Sequence, residues 1–288
     1  MTPPHPQPSA PSTARLRPLA ELPAARLAAL RGGVLTDIDD TLTRDGAIEP
    51  EALAALHALH AAGVPVIAIT GRPAGWSEPM VRAWPVLAIV AENGAVMLRR
   101  TPGTSGTAEA DSSQALQIDF TADATSRAAN RQRLQACVTD ILARVPGAAL
   151  AEDSAGRLTD IAIDHSEFHH LDEAAITRVV DLMRRHGLTA TVSSIHINGW
   201  IGAHDKFSAA HWAVPACLGL AFEPSDWVYV GDSTNDQRMF EQLPLSVGVA
   251  NVARFVAHMS ALPAYVTPAE RGCGFAQLAA ALLQARGR

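Results

Sequence analysis

The stretch VLTDIDDTLT, residues 34–43, decides how the rest of the chain is read. A short apolar run ends in Asp37, Asp39 and Asp40, three carboxylates within four positions. Like charges this close repel, and burying one without a partner is costly. Taken alone, Asp-x-Asp-x-Thr also describes an ordinary acidic turn, so its meaning depends on what surrounds it.

Outward from this stretch, short apolar runs alternate with helical patterns. GGVLTDI, VPVIAIT, PVLAIVA, WVYVGD and LSVGVA read as strands of continuous apolar residues, as a parallel sheet covered on both faces requires. PEALAALHALHAAG reads as a helix with Pro50 in its first turn and Gly63 just past its end. Further helices are expected around Trp76 to Trp84, over KFSAAHWAVPACLGL and NDQRMFEQL, and from Cys273 to Arg286. The fold class is therefore α/β, a doubly wound, Rossmann-like parallel sheet.

The middle of the chain has a different rhythm. After the turn-rich break TPGTSGTAEADSS comes a helix with Leu134, Cys137, Val138, Ile141 and Leu142 on one face. A strand pair around DSAG follows, then a helix striped by Ile176, Val179, Val180 and Met183 that stops at Gly187, then two alternating segments. The order αββαββ, with one-sided strands, describes a small antiparallel sheet on helices inserted between the halves of the parallel domain. The expected organisation is a disordered tail over 1–18, a core of 19–97 with 201–288, and an inserted α+β cap domain over 98–200.

Composition narrows the function classes. The chain has 288 residues, 48% hydrophobic, enough for one large core or two modest ones. A formal charge of −6 without any Lys/Arg run argues against nucleic acid or an anionic membrane as partner. Cys137, Cys217 and Cys273 form no CxxC pair, which fits a reducing cytoplasm and neither a disulfide framework nor a zinc site. No apolar stretch approaches a membrane span. The opening MTPPHPQPSAPSTAR, rich in Pro and Ser, reads as the disordered tail and not as a signal peptide.

Four sites carry chemistry. Asp37 ends the first core strand, where ligands of doubly wound sheets collect. Two carboxylates there suit Mg²⁺ with a phosphate oxygen completing its shell. One can attack phosphorus while its neighbour two residues on protonates the leaving oxygen and later deprotonates water. Thr70 and Gly71 end another strand, offering a hydroxyl and a backbone N–H to phosphate. Lys206 opens a helix in a region poor in basic residues, where only Arg238 accompanies it between Arg185 and Arg254. In VYVGDSTND, Asp232 ends a strand placed to hold a metal, and Asn235 and Asp236 open a helix whose N–H groups can orient carboxylates and bind phosphate.

All four fall at expected strand ends or helix starts on one sheet edge. In order, DxDxT, T-G, K and GDxxND, the chain resembles the haloacid dehalogenase-like superfamily, specifically its magnesium-dependent phosphatases with the large type IIB (αββαββ) cap, including sugar-phosphate phosphatases. AENGAV, residues 91–96, is similar to the segment leading into that cap. The resemblance covers residues 30 to 285 and implies Asp37 as nucleophile, Asp39 as general acid/base, Thr70 and Lys206 on the phosphoryl group, and Asp232 on magnesium. It also implies the main-chain carbonyl of Asp39 as a metal ligand. The expected substrate is a small phosphorylated metabolite such as a sugar phosphate, hydrolysed through an aspartyl-phosphate. Arg72, Asn93, His196 and Trp200 are candidates for touching substrate.

Other readings are weaker. A sugar phosphomutase shares the motifs, but needs basic cap residues to rebind its intermediate, and the cap strands are poor in them. Dehalogenation has no use for a proton donor at Asp39, and a non-catalytic module has no use for the intact acidic set. His165, His169 and His170 lie in a polar cap loop, and His57 and His60 on a helix surface.

Overall fold

The computed structural model describes residues 16–101 and 115–288. Its larger sheet runs Arg17–Pro18, Tyr265–Val266, Ser246–Gly248, Val228–Gly231, Val34–Thr36, Val66–Ile69, Ala88–Ala91, Val96–Arg100, Leu116–Phe120. Pairing is parallel up to Ala88–Ala91 and antiparallel for the last two strands. The expected α/β, doubly wound core is thus observed.

Both faces of the sheet are covered, which is why its central strands are apolar on both sides. Helices Pro50–Ala61 and Arg271–Ala285 bury Leu56, Leu59, Phe275, Leu278 and Leu282 on one face. Lys206–Leu218 and Gln237–Gln242 bury Ala210, Val214, Met239 and Phe240 against Leu35, Ile67 and Tyr229 on the other. Gly63 and Gly187 take left-handed φ (69° and 75°) just past their helices, as their positions in the sequence predict.

The second sheet, Thr189–Val192, His196–Trp200, Asp160–Asp164, Ala149–Leu150, is antiparallel and packs on helices Ala124–Arg144 and Glu173–Arg185. Its elements follow in the order αββαββ. Each helix is N-capped by an aspartate, Asp123 to Ser126 N–H and Asp172 to Ala175 N–H. Leu134, Cys137, Val138 and Ile141 are buried, whereas Leu142 is 44% exposed, one step round the helix from the stripe.

Three features differ from the sequence reading. The two central strands of the small sheet, Asp160–Asp164 and His196–Trp200, are buried on both faces: the Ile161, Ile163 and Ile197 side meets helices, and the polar side of Asp160, Asp164, His196 and Asn198 roofs the larger domain. Val96–Arg100 and Leu116–Phe120 form a hairpin that stays in the larger sheet, so sheet membership changes after 120 and not at 98. Residues 116–120 carry no expected element, although Leu116, Ile118 and Phe120 alternate with polar Gln117 and Asp119 as a strand does. At the other end, Arg17–Pro18 pairs with Tyr265–Val266, so the expected tail stops short of residue 18. Residues 1–15 and the break at 102–113 lie outside the described residues.

The turn between Ala88–Ala91 and Val96–Arg100 is strained. Glu92, Asn93 and Gly94 are left-handed in succession, with φ of 51°, 55° and 114°. A Cβ on Gly94 would lie 2.7 Å from the carbonyl oxygen of Asp205, the residue that caps the Lys206 helix. Gly94→Ala is expected to lower the urea midpoint by the equivalent of about 2 kcal/mol. An unchanged midpoint would contradict this packing.

Candidate active site

Asp37 follows the central strand Val34–Thr36, its N–H bonded to Val230 O of the neighbouring strand at 2.9 Å. Lys206 opens a helix on the other side, held in register by a capping box between Asp205 and Ser208. Nζ of Lys206, the only lysine in the chain, donates to Asp37 Oδ1 and Asp236 Oδ1, each at 2.6 Å, and to Asn235 Oδ1 at 3.2 Å. The lysine is 2% exposed, and although burial disfavours its charge, Asp236 and Asp37 hold its pKa above the usual value. Burial pushes Asp37 up to about 7 against the pull of Lys206, with Asp236 and Asp39 adding repulsion.

The carboxylates of Asp37, Asp232 and Asp236 converge, with ligand oxygens within 4.8 Å of one another. Their free lone pairs differ. Asp236 Oδ1 accepts from Lys206 and Tyr229 Oη, and its Oδ2 from the N–H groups of Asp232 (2.8 Å) and Ser233 (3.0 Å). Asp232 Oδ1 is buried with no hydrogen-bond partner among the described residues, and its Oδ2 accepts only from Asn251 Nδ2 at 3.0 Å. Burial and the charges of Asp37 and Asp236 push Asp232 well above the carboxylate range. Asp37 Oδ2 has one long contact, 3.5 Å from Thr41 Oγ1. An orphaned oxygen on Asp232 beside a nearly free one on Asp37 fits a hard cation, with Asp236 as the group that orders the loop.

Asp39 points elsewhere. Arg72 Nε donates to its two oxygens at 3.0 and 3.2 Å. Burial raises the Asp39 pKa and Arg72 opposes the rise. The same guanidinium reaches the roof, donating to Glu167 Oε1 at 2.8 Å and Asp153 Oδ2 at 3.2 Å, and lies over the Trp76 ring. His196 Nε2 bonds Glu167 Oε2 at 2.7 Å. Burial pushes Glu167 up, but bonds to His196 and Arg72 hold it down at about 2. Two further links join roof to core: Arg157 donates to Gly71 O at 3.0 Å, and Glu92 accepts from the N–H groups of Leu158 (2.9 Å) and Thr159 (2.6 Å).

A narrow cavity above Asp37 is lined by Asp39, Gly71, Arg72, His196, Asn198 and Asn235, among others. A Cβ on Gly71 would come within 3.1 Å of both Asn198 Nδ2 and Asn93 Oδ1, so glycine permits this close approach. Lys206, Asp232 and Asp236 lie buried at or beneath the floor. Thr70, also buried, accepts from Arg72 N–H through Oγ1 at 3.0 Å. Asn93 and Trp200 do not join this cavity; with Thr191, His204 and Lys206 they line a separate one of about 300 Å³. The N–H groups of Asp232 and Ser233, just before the turn at Asn235 and Asp236, are occupied by the Asp236 carboxylate.

Glu167, Asp153, Arg157, Glu92, Asn198 and Asn251 escaped the sequence reading. Apart from Glu92, which lies in AENGAV, none sits in a motif named above, and they meet the site only through tertiary contact. The loop holding Glu167 is built by Asp164, whose carboxylate accepts the N–H groups of Ser166, Glu167, Phe168 and His169 at 2.9–3.1 Å. His165 Nε2 bonds Ser193 O at 3.1 Å, while His57, His60 and His170 are exposed.

Residues 34–120 match the sequence model of a family described as haloacid dehalogenase-like hydrolase. No curated protein matches the chain. Similar solved structures include Thermoplasma acidophilum 0175, at TM-score 0.64 and 18% identity over 88% of this chain and 98% of that one. A Synechocystis sucrose-phosphatase solved with sucrose and phosphate gives 0.61 and 14%, over 88% and 98%. The C-terminal domain of a C. albicans trehalose-6-phosphate phosphatase gives 0.62 and 14%, over 96% and 99%. At such identities the likeness is one of fold.

The crowded carboxylates are expected to make stability depend on pH and on a divalent cation. In an acid whose folded pKa is raised, as in Asp37 from 3.8 to about 7, the stabilisation is complete below the unfolded value and lost as pH rises through the folded one. In EDTA the melting temperature is therefore expected to fall by roughly 5 °C or more between pH 4 and 7. Mg²⁺ should offset this loss in the wild type but not in Asp232→Asn. Identical melting curves in EDTA and Mg²⁺ at pH 7 would contradict the cation assignment.

Proposed function

We propose that this chain, a haloacid dehalogenase-like hydrolase, is a magnesium-dependent phosphatase acting on a small phosphorylated metabolite, with sugar phosphates the leading class. The observation that carries the reading is the unequal setting of two carboxylates two residues apart. Asp37 has one oxygen on Lys206 and the other nearly free, at the floor of a cavity. Asp39 lines the same cavity but is turned to Arg72. The first suits a nucleophile and the second a proton carrier. The sucrose- and trehalose-6-phosphate phosphatases among the similar folds add support for sugar phosphates.

In this mechanism an Asp37 oxygen attacks phosphorus and the bond to the leaving oxygen breaks as Asp39 protonates it. Asp39 then takes a proton from water, whose oxygen attacks the aspartyl-phosphate. The bond from phosphorus to Asp37 breaks, releasing inorganic phosphate, returning Asp37 to a carboxylate and leaving Asp39 protonated as it began. Lys206 and Asn235 position the phosphoryl group, with Thr70 and Gly71 bordering it. Asp37, Asp232 and the main-chain carbonyl of Asp39 would hold Mg²⁺, which supplies neutralising charge for the phosphoryl oxygens. A phosphomutase must rebind a phosphorylated intermediate, yet the roof contributes Glu167, Ser193, Ser194, Ile195, His196 and Asn198 to the cavities and no lysine or arginine. The cysteines are unpaired, which supports a reducing, cytoplasmic setting, and among the described residues no helix is long and apolar enough to cross a membrane.

Phosphate release from an aryl phosphate is expected with Mg²⁺ and lost in EDTA or in Asp37→Asn. Full turnover after exhaustive chelation would remove the metal, and a wild-type rate in Asp37→Asn would remove the nucleophile. Asp39→Asn should slow formation and hydrolysis of the aspartyl-phosphate by roughly 10²–10⁴-fold each. In single-turnover experiments the formation penalty should be far smaller for p-nitrophenyl phosphate, whose leaving group barely needs a proton, than for a sugar phosphate. Equal penalties would transfer Asp39 from acid/base to metal positioning.

A further inference from the structure

The loop at 70–72 borders the narrow cavity, and each of its three carbonyl oxygens is held. Asn93 N–H donates to Thr70 O at 3.0 Å and Glu92 N–H to Arg72 O at 2.9 Å, both from within the larger domain. Gly71 O is held instead by a side chain of the roof, Arg157, whose Nη1 donates to it at 3.0 Å. We propose that Arg157, which does not line the narrow cavity, is a positioning residue of the phosphoryl site, acting on the Thr70 hydroxyl through the peptide that joins Gly71 to Arg72. The assignment rests on the phosphatase reading above and adds to it a residue that never touches substrate.

The route is a chain of hydrogen bonds. The peptide whose carbonyl Arg157 holds carries the N–H of Arg72 at its other end, and that N–H donates to Thr70 Oγ1 at 3.0 Å. A hydroxyl oxygen that accepts there keeps its own proton free to donate elsewhere. Neither that proton nor the N–H of Gly71 has an acceptor among the described residues, so both stay available to a phosphoryl oxygen. Gly71 has no Cβ to restrict rotation of the peptide, and among the described residues only Arg157 fixes its carbonyl.

The arginine is itself firmly placed. Its side chain is 2% exposed, and Nη1 also donates to both oxygens of Asp160 at 2.9 Å. Nε and Nη2 reach Asp153 Oδ1 at 3.2 and 3.1 Å. A planar fork anchored on two carboxylates aims Nη1 at one point, which the single flexible ammonium of a lysine cannot do. Glu92 registers the roof segment carrying this arginine to the loop below. Its Oε1 accepts from Ala74 N–H at 3.1 Å, just past the loop, and from Leu158 N–H at 2.9 Å, just past Arg157. The roof thus contributes to the phosphoryl site without entering it.

The test follows phosphate release, with Mg²⁺, from p-nitrophenyl phosphate and from a hexose monophosphate, together with inhibition by inorganic phosphate. Arg157→Lys keeps the charge but loses the fork that reaches Asp153, Asp160 and Gly71 at once. Breaking a buried pair on one side can unfold the chain, so Arg157→Met/Asp160→Asn, which removes both partners together, is the second variant. In whichever variant melts cooperatively, kcat/KM should fall roughly 10–100-fold, by the same factor for the two esters, and the inhibition constant for phosphate should rise about 10-fold. Thr70→Val should carry a penalty at least as large. Adding the same change at Arg157 to Thr70→Val should then lower kcat/KM by no more than about 3-fold. A folded variant with wild-type kcat/KM and wild-type phosphate inhibition would overturn the assignment and leave Arg157 a purely structural residue. So would a penalty confined to the hexose phosphate, which would put Arg157 on the leaving group, or penalties that multiply in the Thr70→Val background. No release by the folded wild type from any phosphate ester, p-nitrophenyl phosphate included, would instead remove the phosphatase reading and this assignment with it.

Discussion

One buried ammonium group among carboxylates organises the carboxyl edge of the larger sheet. Lys206 Nζ lies 2.6 Å from oxygens of Asp37 and Asp236 in a place where none of the three is more than 3% exposed. Removing one partner of such a buried set leaves charge uncompensated, at a cost of roughly 3–5 kcal/mol. The geometry therefore constrains much else. The helix must start at Lys206, which the Asp205–Ser208 capping box enforces, and the chain after Gly231 must turn tightly enough to bring Asp236 beneath the lysine. Gly231 permits that turn, since a Cβ there would lie 2.5 Å from the Asp236 carboxyl.

The lysine does not complete the electrostatics. Two negative groups are matched to one positive charge around Nζ, and Asp232 adds a third carboxylate whose Oδ1 has no hydrogen-bond partner among the described residues. In the native state these acids therefore hold protons more tightly than free carboxyls unless a cation replaces the proton. A fold can retain such an arrangement when a ligand supplies the missing charge, and the cost in the ligand-free state is the other side of the affinity.

Roof and floor are joined mainly by charge and backbone hydrogen bonds, through Arg72 with Glu167 and Asp153, Arg157 with Gly71, and Glu92 with Leu158 and Thr159. The buried members of the three apolar clusters stay within their own domains or sheet faces, with half-buried Leu158 of the roof packing against the larger domain. Polar links of this type can be exchanged for water without exposing an apolar core, whereas the helices beneath each sheet cannot separate so cheaply. Arg72 is the point where these links meet Asp39, so the position of the roof and the setting of that carboxylate are physically connected.

Much was legible in the sequence because it is local. Apolar runs marked the central strands, Pro50, Gly63 and Gly187 marked helix ends, and Asp37, Thr70, Lys206 and Asp232 stood where strands stop or helices start. The order of elements even gave the αββαββ insertion. What the sequence could not carry were partners chosen by distance in space. That Leu116–Phe120 pairs with Val96–Arg100 in the larger sheet is seen only in the fold, and Asp160 and Asp164 look like solvent-facing positions until the fold covers them. Glu167 and Phe168 sit in a polar loop that nothing local distinguishes. Asn93 and Trp200 turn away from His196 and Arg72 into another cavity. Periodicity and turn chemistry act over a few residues and so can be read along the chain, whereas a carboxylate's environment is set by whatever the fold brings within a few ångströms of it.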